Sequence, residues 1–186
     1  MQSSQEERHG RRSSRLPGYD YSQAGAYFVT MSAHGWATLF GTFSGEGFTL
    51  SRCGEIVEHT WQQIPLRYAG VQSDLYVVMP NHMHGILLIA DNVVGAGFQP
   101  ARAKTPSSLP SLVRAFKTYS AREINLLRGT QGTAVWQRGY YEHVIRNEMD
   151  LSRIREYIAT NRLKWALDRE NPERVGLSSL EKELFD

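Results

Sequence analysis

Cysteine is almost missing from this chain: Cys53 is the one thiol in 186 residues. No intrachain disulfide can form, and no cysteine cluster can close a four-ligand structural zinc site. A reducing, cytoplasmic setting is the expectation. Long apolar runs are missing too. None approaches the ~18 residues a membrane-spanning helix needs, and the first residues are polar and arginine-rich, unlike a secretion signal. No membrane is expected among the partners. Charge of one sign is not in excess, since 21 Lys and Arg against 19 Asp and Glu leave a net +2. That near-balance neither demands nor excludes nucleic acid, because phosphate contacts come from local patches. No internal repeat is visible. What remains is 41% hydrophobic and 22% charged, the makeup of one globular domain with a core of its own.

The stretch Asp74–Ala90 (DLYVVMPNHMHGILLIA) organises the rest. Two apolar runs, Leu75–Met79 and Ile86–Ile89, flank the polar interruption Pro80–Gly85. Short runs rich in Val and Ile, bounded by Pro and Gly, predict buried β-strands. Side chains at i and i+2 share one face of a strand. If His82–Met83–His84 opens the second strand, both imidazoles project from one face and Met83 points into the core. Two neutral imidazoles side by side suit a divalent metal. The competing reading is a pair of half-buried strand histidines bonded to backbone or water.

Residues 1–18, with Arg8, Arg11, Arg12 and Arg15, read as a flexible basic arm. Ala26–Ser32 predicts a strand, and Leu39–Phe43 with Gly47–Ser51 a hairpin. Ile56, Val57, Thr60, Trp61 and Ile64 recur at helical spacing, so a helix from Gly54 to about Gln63 ends before Pro65. A Gly-, Pro- and Ser-rich loop, 92–110, reads as mobile. Ser111–Leu127 is a second amphipathic helix carrying Arg114, Lys117 and Arg128 on its polar side, flanked by Arg122. A strand is expected within Ala134–Arg146. Asp150 is the expected N-cap of a third helix from Leu151 to about Lys164. Residues 168–186 read as a tail. The pattern is α+β: an antiparallel sheet with helices packed mainly on one face, related to the ferredoxin-like arrangement.

On the third helix Tyr157 and Asn161 stand at i and i+4 and share a face. A phenol, with a pKa near 10, is a poor nucleophile at neutral pH unless a cation polarises its target. Asn161 can add a neutral oxygen to two histidine nitrogens. Such a mixed set with open positions is compatible with Mg²⁺ or Mn²⁺.

The blocks VVMPNHMHGI (77–86), VWQRGYYEHVIRN (135–147) and REYIATNRLKW (155–165), in this order, resemble the single-tyrosine HUH transposases, in particular the REP-associated tyrosine transposase-like branch. The similarity runs from about Tyr19 to Trp165, and 19–167 is expected to be the transposase domain with an HUH nuclease fold. The resemblance implies that His82 and His84 bind the metal, with Asn161 as third ligand. It makes Tyr157 the nucleophile that forms a 5′-phosphotyrosine with single-stranded DNA. The family's usual Asn–Pro is here Asn161–Arg162, which bears on where the helix ends. Tyr119, on the second helix away from any matching block, and Tyr141, on a strand, are rival nucleophiles, read instead as packing or DNA-stacking residues. Single-stranded or hairpin DNA is the implied partner, with a homodimer as one assembly found among such enzymes. Arg11, Arg12, Arg15, Arg114, Lys117, Arg122 and Arg153 are the expected backbone contacts, and Trp136 and Tyr140 the expected stacking residues. Two other readings stay open: a non-catalytic binder of such nucleic acid on the same fold, and an unrelated metal-dependent hydrolase with Glu142 activating water.

Overall fold

In the computed structural model the described residues are 19–21, 23–45, 47–90, 108–167 and 171. The basic arm over 1–18, nearly all of the 92–110 loop and the tail beyond 167, apart from Asn171, lie outside them. Six strands form: β1 (Gly25–Ser32), β2 (Gly41–Ser44), β3 (Gly47–Leu50), β4 (Val71–Val78), β5 (His82–Ile89) and β6 (Tyr141–Ile145). The helices are α1 (Arg52–Gln62), α2 (Ile64–Arg67), α3 (Leu109–Arg128) and α4 (Glu148–Thr160). A 3₁₀ turn over Arg162–Leu167 follows α4.

The main sheet runs β4-β5-β1-β6 and every pair in it is antiparallel. Counted by themselves, its four strands stand in the ferredoxin-like order 4-1-3-2. β2 and β3 make a separate hairpin. The period of two divides β5 cleanly. Met83 and Leu87 join Tyr27, Val29 and Met31 in a core closed by Val57 and Trp61 of α1 and by Leu112 and Phe116 of α3. Ile86, with Phe28, Val77, Met79 and Ile145, faces the other way and is closed by Ile158 of α4. Three helices therefore cover one face, and α4 covers the face that carries the histidines.

Gly85 permits the first of these packings. A Cβ there would lie 2.4 Å from Trp61 Cζ2, so only glycine lets the indole rest directly against β5. Trp61 is fully buried, and its Nε1 donates to Ser73 Oγ at 2.7 Å.

Four boundary features differ from expectation. Pro65 does end α1, but it also opens α2, where its missing N–H costs nothing in the first turn. α3 starts at Leu109, behind Ser108, so Pro110 is helical rather than part of the loop. The N-cap of α4 is Asn147, whose side chain accepts from Asp150 N at 2.9 Å. Asp150 instead lies in the first turn. Its carboxylate takes His143 Nε2 at 2.8 Å and Arg146 N at 3.3 Å. Helix α4 stops at Thr160, short of Lys164, where the chain tightens into the 3₁₀ turn.

Candidate active site

β5 sets His82 and His84 on one face, both buried, with their Nε2 atoms 3.0 Å apart. Their outer nitrogens are held from behind. Asn81 Nδ2 donates to Trp36 O at 3.3 Å, which turns Asn81 Oδ1 toward His82 Nδ1 at 2.8 Å. An acceptor at that position fixes the proton on Nδ1 and leaves Nε2 unprotonated, with its lone pair turned toward His84. Thr30, the register neighbour of His84 on β1, puts Oγ1 2.7 Å from His84 Nδ1. A hydroxyl can donate or accept, so Thr30 serves either tautomer of His84. Burial, and then His82 beside it, hold the His84 pKa well below the usual imidazole value. His84 is therefore neutral at pH 7, the form that ligates metal.

Helix α4 lays Tyr157 across this pair. The hydroxyl stands 3.2 Å from His84 Nε2, and the ring meets the His84 ring at a 5.1 Å centroid distance. Phe28 stacks on His84 at 5.5 Å and meets Tyr157 edge-on at 6.1 Å, fixing the phenol from below. Tyr157 is 44% exposed, so the outer side of the phenol is open. One turn on, Asn161 is buried, and its Oδ1 has no hydrogen-bond partner among the described residues. A buried amide oxygen left unpaired costs about 1–3 kcal/mol, which a bound cation would offset.

Two imidazole nitrogens and an orphaned amide oxygen on neighbouring elements fit a divalent cation that keeps open positions, such as Mn²⁺ or Mg²⁺. No group of three His, Cys, Asp or Glu that could hold a metal occurs among the described residues, so a closed zinc site does not arise from them.

The opposite wall comes from beyond α4. Trp165 lies 6.0 Å from His82 and stacks on Phe43 at 6.0 Å with an 11° interplanar angle. Arg162, standing where the resembling family has proline, sets its guanidinium 4.5 Å over the Phe48 ring and donates to Val78 O at 3.4 Å. The helix end that proline would fix by geometry is fixed here by a side chain.

Other expected site residues fall elsewhere. Arg114 and Arg122 are exposed on α3, across the sheet from the imidazoles. Lys117 donates to Gln137 O at 3.0 Å and to Gly139 O, and burial lowers its pKa to about 8. It anchors the loop before β6. Trp136 is buried between Phe40 and Phe116 and donates from Nε1 to Ser120 Oγ at 3.0 Å. Tyr140 is partly buried against the same core. Glu142 is the register neighbour of core residue Val29, so it faces away from the imidazoles and cannot activate water there. Tyr119, on α3, lies under the Arg67 guanidinium at 4.7 Å. Only Arg153, exposed on α4 one turn before Tyr157, and Tyr141, on the imidazole face, stay near the site. Arg11, Arg12 and Arg15 lie outside the described residues. Sequence reasoning passed over Thr30, Asn81, Phe28 and Trp165. Asn81 is readable as a neighbour in PNHMH, but Thr30 and Phe28 need the strand register.

No family model matches the chain. It is 36% identical over 172 residues to an uncharacterized protein of Haemophilus influenzae, a match covering 87% of this chain and 93% of that one. Among solved structures it is similar to a REP-associated tyrosine transposase bound to a REP hairpin. That likeness has a TM-score of 0.53 at 20% identity and covers 78% of this chain and 71% of that one.

Proposed function

The chain belongs to one family with the Haemophilus influenzae protein and has the fold of a REP-associated tyrosine transposase, and from that premise we propose a DNA strand transferase. It nicks and rejoins single-stranded or hairpin DNA, with Tyr157 as nucleophile. One observation carries the reading: the Tyr157 hydroxyl lies 3.2 Å from His84 Nε2, itself 3.0 Å from His82 Nε2.

Tyr157 attacks a backbone phosphorus. A bond forms between the phenolic oxygen and phosphorus as the bond from phosphorus to the 3′ oxygen breaks. The phenolic proton passes to water and the 3′ oxygen takes one up. The products are a 5′-phosphotyrosine and a 3′-OH, which can rejoin by the reverse step because the ester is kept. A divalent cation held by His82, His84 and Asn161 would polarise the phosphate and fix in-line geometry. Asn81 and Thr30 orient the imidazoles, and Phe28 holds the phenol where it must react. Arg153, exposed on α4 one turn before Tyr157, with Arg11, Arg12 and Arg15, supplies positive charge for the DNA backbone, whereas Arg114 and Arg122 lie across the sheet and take no part at this site. One chain brings Tyr157 to the histidines, so a homodimer is not required to complete the set. The domain is 19–167, working in a cytoplasmic setting.

The test is a denaturation-resistant adduct between the protein and a labelled hairpin oligonucleotide with single-stranded flanks, in Mg²⁺ or Mn²⁺. Tyr157→Phe is expected to abolish both adduct and nicking while DNA affinity stays within about twofold of wild type, since the substitution removes one hydroxyl. An adduct that survives in Tyr157→Phe refutes the nucleophile.

A further inference from the structure

Six rings form a chain of neighbours that runs from the edge strand β6, through the imidazoles, to the β2–β3 hairpin. Tyr141 is 6.2 Å from Phe28, Phe28 is 5.5 Å from His84, and His84 is 4.6 Å from His82. His82 is 6.0 Å from Trp165, and Trp165 is 6.0 Å from Phe43. The middle of the series is buried and is the candidate reaction centre. Both ends open to solvent: Tyr141 is 50% exposed and Phe43 37%.

These ends are costly as mere surface. Tyr141 sits on the sheet's edge strand, the register neighbour of Thr30, and half of it is exposed to solvent. It stands two strands from His84, about 10 Å away. At the other end Phe43 packs 4.9 Å from Phe48, over which lies the Arg162 guanidinium. Flat apolar rings on both sides of a polar centre, with a cation at one end, match a ligand that alternates flat bases with charged links. That ligand is a single strand of nucleic acid. A duplex keeps its base faces stacked inside and cannot use the series.

We infer that Tyr141 and the Phe43–Trp165 pair are base-stacking platforms for the nucleotides on the two sides of the phosphate held at the histidines. The inference rests on the strand-transfer reading for the position of that phosphate. Of the residues the sequence offers for stacking, Trp136 is buried and Tyr140 packs partly against the core, whereas Tyr141 has the opposite strand parity to Tyr140 and is half exposed.

The test uses the full chain carrying Tyr157→Phe, so that only binding is read. Single-stranded oligodeoxynucleotides bearing 5-iodouracil at successive positions are bound and irradiated, and the cross-linked residues are mapped. Cross-links are expected at Tyr141 and at Phe43 or Trp165. In titrations with the same strands, Tyr141→Leu and Phe43→Leu keep apolar bulk but lose the π face. Each is expected to weaken binding roughly 5- to 150-fold, the range for one base stacked on an aromatic ring. Tyr141→Phe and Phe43→Tyr should bind like the parent. Thermal melting of each variant separates lost stacking from lost fold, and the cross-link map needs no platform variant. Cross-links only at other aromatics, unchanged affinity in both Leu variants, or no binding of single strands by the parent overturns the platforms. The adduct assay with Tyr157 is independent: loss of stacking with an intact Tyr157-dependent adduct overturns the platforms alone.

Discussion

The position of one proton decides whether His82 can present a bare nitrogen to a cation, and Asn81 controls it. The carboxamide is itself oriented by its bond to Trp36 O, so three residues in contact set one tautomer. Removing such an outer partner commonly costs 10–100-fold in metal affinity. Asn81→Ala is therefore expected to weaken Mn²⁺ binding by roughly that factor, measured by titrating free Mn²⁺ through its paramagnetic resonance signal. Asn81→Asp, which keeps an acceptor, should restore most of it. Unchanged Mn²⁺ affinity in the alanine variant would show that the imidazole needs no such lock. At this scale the sequence was only half legible. His82, His84, Tyr157 and Asn161 could be picked from type and spacing, and the structure sets Tyr157 beside the two histidines. Thr30, 54 positions from His84, could not, because contact across strands depends on a register that neighbouring residues do not encode.

Among the elements, α4 shows what spacing can and cannot give. The i, i+4 relation of Tyr157 and Asn161 follows from helical geometry alone and holds. The N-cap did not follow, since both Asn147 and Asp150 have the right chemistry and only the early end of β6 selects Asn147. Asp150 is thereby released to join β6 to α4 through His143, whose hydrogen bond is the main reason the Asp150 pKa is lowered. The sign of the resulting pH dependence is fixed. Above the ordinary carboxylate pKa, about 4, Asp150 is charged in both states and the full contribution is present. Below it the unfolded chain takes up a proton that the folded carboxylate still refuses, so stability is lost as pH falls through the lowered folded value. Melting wild type and Asp150→Asn from pH 6 to pH 3 should show their difference shrinking toward the acid end. A constant difference would remove the link from the account. Position explains the aromatics in the same way: one residue's shift at the start of β6 separates the partly buried Tyr140 from the exposed Tyr141.

Across the whole molecule, the order of strands and helices was readable because each apolar run is bounded by Gly, Pro or a cap. Which helix covers which face was not. The later halves of β4 and β5, Leu75–Val78 and Ile86–Ile89, read as continuous apolar runs, and the packing shows why, with cores above and below the sheet. Gly85 marks the place where the upper core presses on the strand that carries the histidines. Gly85→Ala must push Trp61 aside and is expected to cost about 1–3 kcal/mol as overpacking, measured by denaturant unfolding. A variant as stable as wild type would mean that the indole shifts freely.

The side chains from His82 to Leu87 are all buried between those two cores. That strand is an anvil with no give, and the play in the site must belong to what strikes it. α4 is held by Ile158, by the Asp150 bond to His143, and by Arg155 on Asp74 at 2.7 Å. Threading a chain under the phenol therefore asks the hammer to lift, and the strength of those three fastenings sets how often it does.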